Sequence, residues 1–236
     1  MIVTKNAVYL HIPKTAGMWF RRVMEPITVS YESHGVPQGN IVRPHTYTLV
    51  RNPWSWYVSM YNFLKYGSEE FSFSNSFRPP VLQALADQSF DNFVTMLCKP
   101  TEEYKKRVFA IYKIKFMEQL SSESKLNNVS ERMLQDPEGI ILTEWMTNDN
   151  SYYEQIASTY TRHATRIGKY EDLTQELLSM TAECGDLDDQ MRGRIIDSPP
   201  FNITSVRDSY QSYYTDQTRQ LVADTTDFLN EFHYEF

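Results

Sequence analysis

Lys14 stands in a short loop, Pro13-Lys14-Thr15-Ala16-Gly17, between an apolar run and a segment with helical spacing. A lysine there supplies a compact positive charge, and the first backbone N–H groups of the following helix add donors, so the pattern suits a phosphate-like anion. The GxxxxGK(S/T) spacing of a P-loop is missing, which argues against a standard ATP or GTP site. A second constellation starts at Arg51-Asn52-Pro53, with Ser59 eight residues after the arginine. Arginine offers a planar fork of donors, and a serine two helical turns further on offers one more. Between the two constellations lie His34, His45 and Glu32, each chemically able to take a proton from a nucleophile. His11 falls inside the apolar run and reads as a core residue; His163 and His233 are remote from both constellations and read as structural or surface residues.

Those side chains need elements to hold them. Residues 7–12 (AVYLHI) read as a buried strand stopped by Pro13. Trp19, Phe20, Val23 and Met24 recur at helical spacing before Pro26, giving strand, loop and helix in succession. Residues 47–50 read as a second strand, running straight into a helix with Asn52 as N-cap, Pro53 in its first position and Gly67 as its stop. On that helix Trp56, Met60 and Phe63 form a stripe that reads as core. Residues 68–80 are rich in Ser and Phe and carry paired prolines, as a lid or an acceptor-binding loop would. Further helices are expected over 89–98, 103–120, 151–163, 173–184 and 215–232, and a third strand over 165–170. No linker divides the chain, so one domain over 1–236 is expected.

Composition narrows the function classes. With 236 residues, 41% of them hydrophobic, the chain can bury one sizeable core. A formal charge of −7 argues against a general nucleic-acid or anionic-membrane binder. That average hides an asymmetry: residues 1–66 hold seven basic and two acidic side chains, +5, leaving −12 for the rest. A basic N-terminal third in an acidic protein suits a small, multiply charged anion. Cys98 and Cys184 have no metal-ligand spacing and read as free thiols. The start of the chain lacks signal-peptide character and no run is apolar enough to span a membrane, so a cytoplasmic location is expected.

The motif HIPKTAG resembles the 5′-phosphosulfate-binding loop of sulfotransferases that use 3′-phosphoadenosine-5′-phosphosulfate (PAPS), especially those acting on carbohydrates. The resemblance implies that Lys14 meets the bridging oxygen where charge develops, while the amides of Thr15, Ala16, Gly17, Met18 and Trp19 hold the phosphate. The family usually has two hydroxyl residues where this chain has Met18-Trp19. Cytosolic members place a tryptophan at this distance, against adenine, so Trp19 reads either as a base-stacking residue or as core. The stretch VRNPWSWYVSMY at 50–61 resembles the family's 3′-phosphate motif, with Arg51 and Ser59 on its charged and hydroxyl positions. RIGKYEDL at 166–173 resembles a late strand and acidic turn of the family, and 202–236 resembles the terminal segment of carbohydrate sulfotransferases, with Arg207 as a candidate nucleotide contact or a surface arginine. The middle of the chain, 68–163, matches nothing of the family.

What the resemblance implies is a P-loop-like, three-layer α/β fold: a small parallel sheet flanked by helices, with PAPS across its carboxyl edge. Transfer would be in line, to a hydroxyl or amine of an acceptor, with a carbohydrate favoured, no metal required, and His34 as general base; His45 and Glu32 are the rivals. The alternatives are a P-loop-like nucleotide kinase, which the missing Gly-Lys-Ser/Thr disfavours, and a non-catalytic nucleotide-binding protein, which Met18-Trp19 favours.

Overall fold

The computed structural model describes residues 1–32, 35–37, 43–67, 85–108, 110, 141, 145, 150–199 and 209–236. In chain order the strands are β1 (Ile2–Val3), β2 (Ala7–Leu10), β3 (Ser30–Tyr31), β4 (His45–Val50) and β5 (Arg166–Lys169). The helices are α1 (Gly17–Met24), α2 (Pro53–Tyr66), α3 (Phe90–Cys98), α4 (Tyr152–Thr161), α5 (Leu173–Cys184), α6 (Asp189–Asp197), α7 (Asp216–Asp224) and α8 (Phe228–Glu231). The protein is a mixed α/β structure built on an open five-stranded sheet flanked by helices. Two compact units emerge, one formed by Met1–Asn52 with Ala157–Ile203, the other by Pro53–Ile156 with Thr204–Phe236.

The first unit carries the sheet, in the order β3-β1-β2-β4-β5. β2, β4 and β5 are parallel, whereas β1 pairs antiparallel with both β2 and β3. Alternate residues of the strands face one core: Ala7, Tyr9, Tyr47 and Leu49 meet Trp19, Phe20, Val23 and Met24 of α1. Leu177 and Met180 of α5 and Met191 and Ile195 of α6 complete it. The intervening strand residues, Val8, Leu10, Thr48 and Val50, are buried too, as a sheet covered on both faces requires.

The second unit is predominantly helical and aromatic. Trp56, Tyr57 and Tyr153 pack ring to ring at 5.2–6.4 Å, and Tyr61, Phe90 and Phe93 form a second cluster at 5.2–6.5 Å. α2 starts at Pro53 and ends before Gly67, which takes a positive φ of 80°. Its Trp56 and Met60 are buried, with Phe63 half-buried. Both cysteines are buried thiols; burial pushes Cys98 up to about 11, and Cys184 is raised by the same cause.

Some boundaries differ from the sequence reading. The segment expected as one helix over 215–232 is two, α7 and α8. Thr225 turns its hydroxyl back onto the Leu221 carbonyl at 2.8 Å, Thr226 pairs with Ser151, and Phe228 N–H finds the Glu154 carboxylate at 3.4 Å. That break is made by hydroxyl and carboxylate partners competing with the helix ladder. Glu154 is held in the interior, and burial raises it to about 7. Residues 102–108 and 110 are helical; the rest of the segment expected as a helix over 103–120, and the loop over 68–80, lie outside the described residues. Among the described residues no helix is long and apolar enough to cross a membrane.

Candidate functional site

Register places the edges of the sheet. Ala7 pairs with His45 and Leu10 with Thr48, while Tyr47 pairs with Arg166 and Val50 with Lys169. The loop after β2, the turn after β4 and the turn after β5 therefore emerge side by side at the carboxyl edge. This is the edge at which parallel α/β sheets bind ligands.

The loop after β2 is tightly folded. Thr15 closes it, its N–H and hydroxyl both bonding the Ile12 carbonyl at 3.2 and 2.7 Å. Lys14 and Ala16 both adopt left-handed backbone, with φ of 69° and 61°. For residues with a Cβ this conformation costs about 1–2 kcal/mol each and concentrates at functional turns. Ala16 caps α1, whose first intrahelical bond runs from Phe20 N–H to the Ala16 carbonyl at 3.0 Å. The amides of Gly17, Met18 and Trp19 have no intrahelical acceptor at such a terminus and can serve an anion. The structural requirement for Gly17 is direct: a Cβ there would lie 1.9 Å from His11 Nε2. His11 is thus not in β2, which ends at Leu10; it is half-buried, with its ring against the loop.

Arg51 leaves β4 toward that loop. Its Nη1–H donates to the Lys14 carbonyl at 3.1 Å, and its guanidinium lies 4.5 Å over the Tyr170 ring. The next amide, Asn52 N–H, donates to Glu171 Oε1 at 2.8 Å. The turn after β5 therefore grips the turn after β4, which in turn grips the Lys14 loop. A fork of donors resting over an aromatic ring keeps its cationic character while losing little further freedom on binding a phosphate.

The structure brings Lys14, Thr15, Ala16, Gly17, Met18 and Arg51 together at one edge. Trp19 is in the core, 3% exposed, its ring 5.7 Å from Phe20 and its Nε1–H directed at the Ser198 carbonyl at 3.4 Å. Ser59 is half-buried on α2 in the second unit. His34 and Arg207 lie outside the described residues.

Of the rival bases, Glu32 follows β3, whose Tyr31 is level with Ile2 and, through it, with Tyr9. That register puts Glu32 at the carboxyl edge. Its carboxylate packs over Gly35, where a Cβ would meet Oε2 at 2.4 Å. His45, opposite Ala7, is at the amino edge, stacked on Tyr47 at 5.7 Å with Nδ1 3.6 Å from Glu183.

The amino edge holds a different charge arrangement. Arg166 donates to Glu176 and Glu183, each at 2.8 Å, and to Ser179 at 3.0 Å. Burial works against its charge, but the two carboxylates outweigh this and hold it above the usual arginine range. Gly168 makes room: a Cβ there would lie 2.6 Å from the Glu176 carboxyl carbon. Tyr9 and Tyr47, pushed up chiefly by burial, stay neutral.

The sequence reading missed Tyr170 and Glu171 as parts of the site, although it singled out the turn that holds them. A carboxylate directly after a short strand, beside an aromatic residue, was the available signal. No family model matches the chain, and neither a curated protein nor a solved structure matches it.

Proposed function

We propose that this protein is a sulfotransferase that moves a sulfuryl group from PAPS to an acceptor hydroxyl or amine, with a carbohydrate as the favoured acceptor class. The observation that supports it most is the junction of its two anion-binding constellations, Arg51 Nη1–H on the Lys14 carbonyl at 3.1 Å, at the carboxyl edge of parallel strands. An arginine on a lysine-bearing loop, with the free amides of a helix start beside it, suits a nucleotide with phosphate groups at two positions better than a single phosphate. The left-handed backbone at Lys14 and Ala16 fits a loop shaped for an anion.

In this reading the acceptor oxygen or nitrogen attacks sulfur as the bond between sulfur and the bridging phosphate oxygen breaks. The electron pair goes to that oxygen, which Lys14 stabilises, and the acceptor proton goes to a general base, His34 in first place and Glu32 as the carboxyl-edge rival. Adenosine 3′,5′-bisphosphate is the second product. The proposal includes a P-loop-like three-layer architecture, one catalytic domain over 1–236 and a cytoplasmic location.

A second reading, nucleotide binding without transfer, is favoured by the Thr15 hydroxyl, which is engaged with the Ile12 carbonyl of its own loop. Calorimetric titration with adenosine 3′,5′-bisphosphate, beside ATP with magnesium, tests the site. Selective binding of the bisphosphate supports both PAPS readings, and turnover of PAPS with acceptor then separates them. Preference for ATP with magnesium would move the protein to phosphoryl transfer.

A further inference from the structure

We infer that Glu171 is a positioning residue for Arg51, an assignment that rests on the proposed nucleotide site and deepens it. β4 and β5 end level with each other, Val50 beside Lys169, so the two residues after each strand leave as neighbours. Asn52 is 7% exposed, and a buried amide without a partner is costly. Glu171 Oε1 accepts that amide at 2.8 Å, while the Tyr170 ring supports the Arg51 guanidinium at 4.5 Å. Arg51 then reaches the Lys14 carbonyl. The backbone on either side of Arg51 is thereby fixed by the β5 turn on one side and its own strand on the other, which sets where its donor fork points.

The charge of Glu171 sharpens the argument. A carboxylate beside a site for a multiply charged anion repels the ligand, so its benefit must come from geometry. A positioning role predicts that an acceptor without charge does as well or better. A role in general electrostatics predicts that any neutral replacement tightens binding.

The test is calorimetric titration of the full chain with adenosine 3′,5′-bisphosphate, for the unaltered protein, Glu171→Ala, Glu171→Gln, Arg51→Ala and the Arg51→Ala/Glu171→Ala pair. Glu171→Ala should bind about tenfold more weakly, the loss expected for one hydrogen bond to a charged acceptor. Glu171→Gln, which keeps a carbonyl acceptor, should match or exceed the unaltered protein. The pair should bind no more weakly than Arg51→Ala alone, because Glu171 acts through that arginine.

Unchanged or tighter binding in Glu171→Ala, or full multiplication of the two losses in the pair, would overturn the inference. If the unaltered protein does not bind the bisphosphate, the proposed function fails, and amide hydrogen exchange at Asn52 decides the inference without any ligand. Protection should persist in Glu171→Gln and be lost in Glu171→Ala; equal protection in all three proteins sinks it.

Discussion

The two edges of the sheet in the first unit each hold an arginine, and they set it among different neighbours. At the amino edge Arg166 is closed off by Glu176, Glu183 and Ser179. At the carboxyl edge Arg51 leans on an aromatic ring and bonds a loop carbonyl, and the loop it touches holds Lys14 and Ala16 in left-handed backbone. One arrangement uses cationic charge to join β5 to α5. The other ties an arginine to a lysine-bearing loop beside helix amides, at a cost in backbone strain. Fold stability accounts for the first, and the strained loop of the second fits the anion site proposed for this edge.

The sharpest break of that contrast is Lys14→Ala. If the lysine acts on the leaving oxygen, sulfuryl transfer should fall by a factor of at least about 10², the scale of removing one charge-stabilising donor from a transition state. Bisphosphate affinity should change far less, and initial rates beside titration separate the two. Turnover within a few-fold of the unaltered protein would remove Lys14 from the chemistry.

Arg51→Ala is expected to weaken bisphosphate binding by about 10- to 100-fold, the range for a charge-assisted hydrogen-bonded group. The same loss should shrink at high salt, since the interaction is ionic. Affinity that is indifferent to Arg51 would mean that the carboxyl-edge arginine is as structural as Arg166.

Gly17→Ala tests the shape of the loop. The added methyl would overlap the His11 ring, at 1.9 Å from Nε2, so a stability loss of about 1–3 kcal/mol is expected from overpacking. Chemical denaturation measures it. The pair His11→Ala/Gly17→Ala should recover most of that loss, because the obstructing ring is gone; no recovery would mean that Gly17 serves the backbone and not the contact with His11.

How much of this was legible beforehand follows the range of the interactions. The run over 7–12 gave β2, which stops two residues sooner at Leu10, and the spacing of Trp19, Phe20, Val23 and Met24 gave α1, because a strand and a helical stripe are local patterns. β1 and β3, two residues each, exist only through their cross-strand partners and leave no periodic trace. α6 was missed because its apolar face is just Met191 and Ile195; Asp188, whose side chain caps Met191 N–H at 2.7 Å, was the readable sign. Lys14 and Arg51 were readable as charge-bearing types at strand ends. The grip of Tyr170 and Glu171 on Arg51 and Asn52 was not, since it links positions more than a hundred residues apart through a sheet register that no local pattern encodes.

The amino edge supplies the two smallest expected effects. Arg166→Ala should lower stability by about 1–2 kcal/mol, read from the denaturation midpoint, while leaving bisphosphate affinity unchanged, because its bonds join β5 to α5 in a half-exposed setting. His45→Gln should do less still. Its imidazole stacks on Tyr47 and lies 3.6 Å from Glu183, a contact worth about 0–1 kcal/mol. β2 rises about 10 Å from Ala7, opposite His45, to Leu10, where the Lys14 loop has yet to begin. If the donor's sulfuryl group sits at Lys14 as proposed, an imidazole at that remove cannot reach the acceptor that attacks it, so turnover should stay within about twofold, the effect of a few tenths of a kcal/mol. A fall of 100-fold at constant bisphosphate affinity would place the acceptor at the amino edge, and the distinction between a structural edge and a binding edge would have to be abandoned.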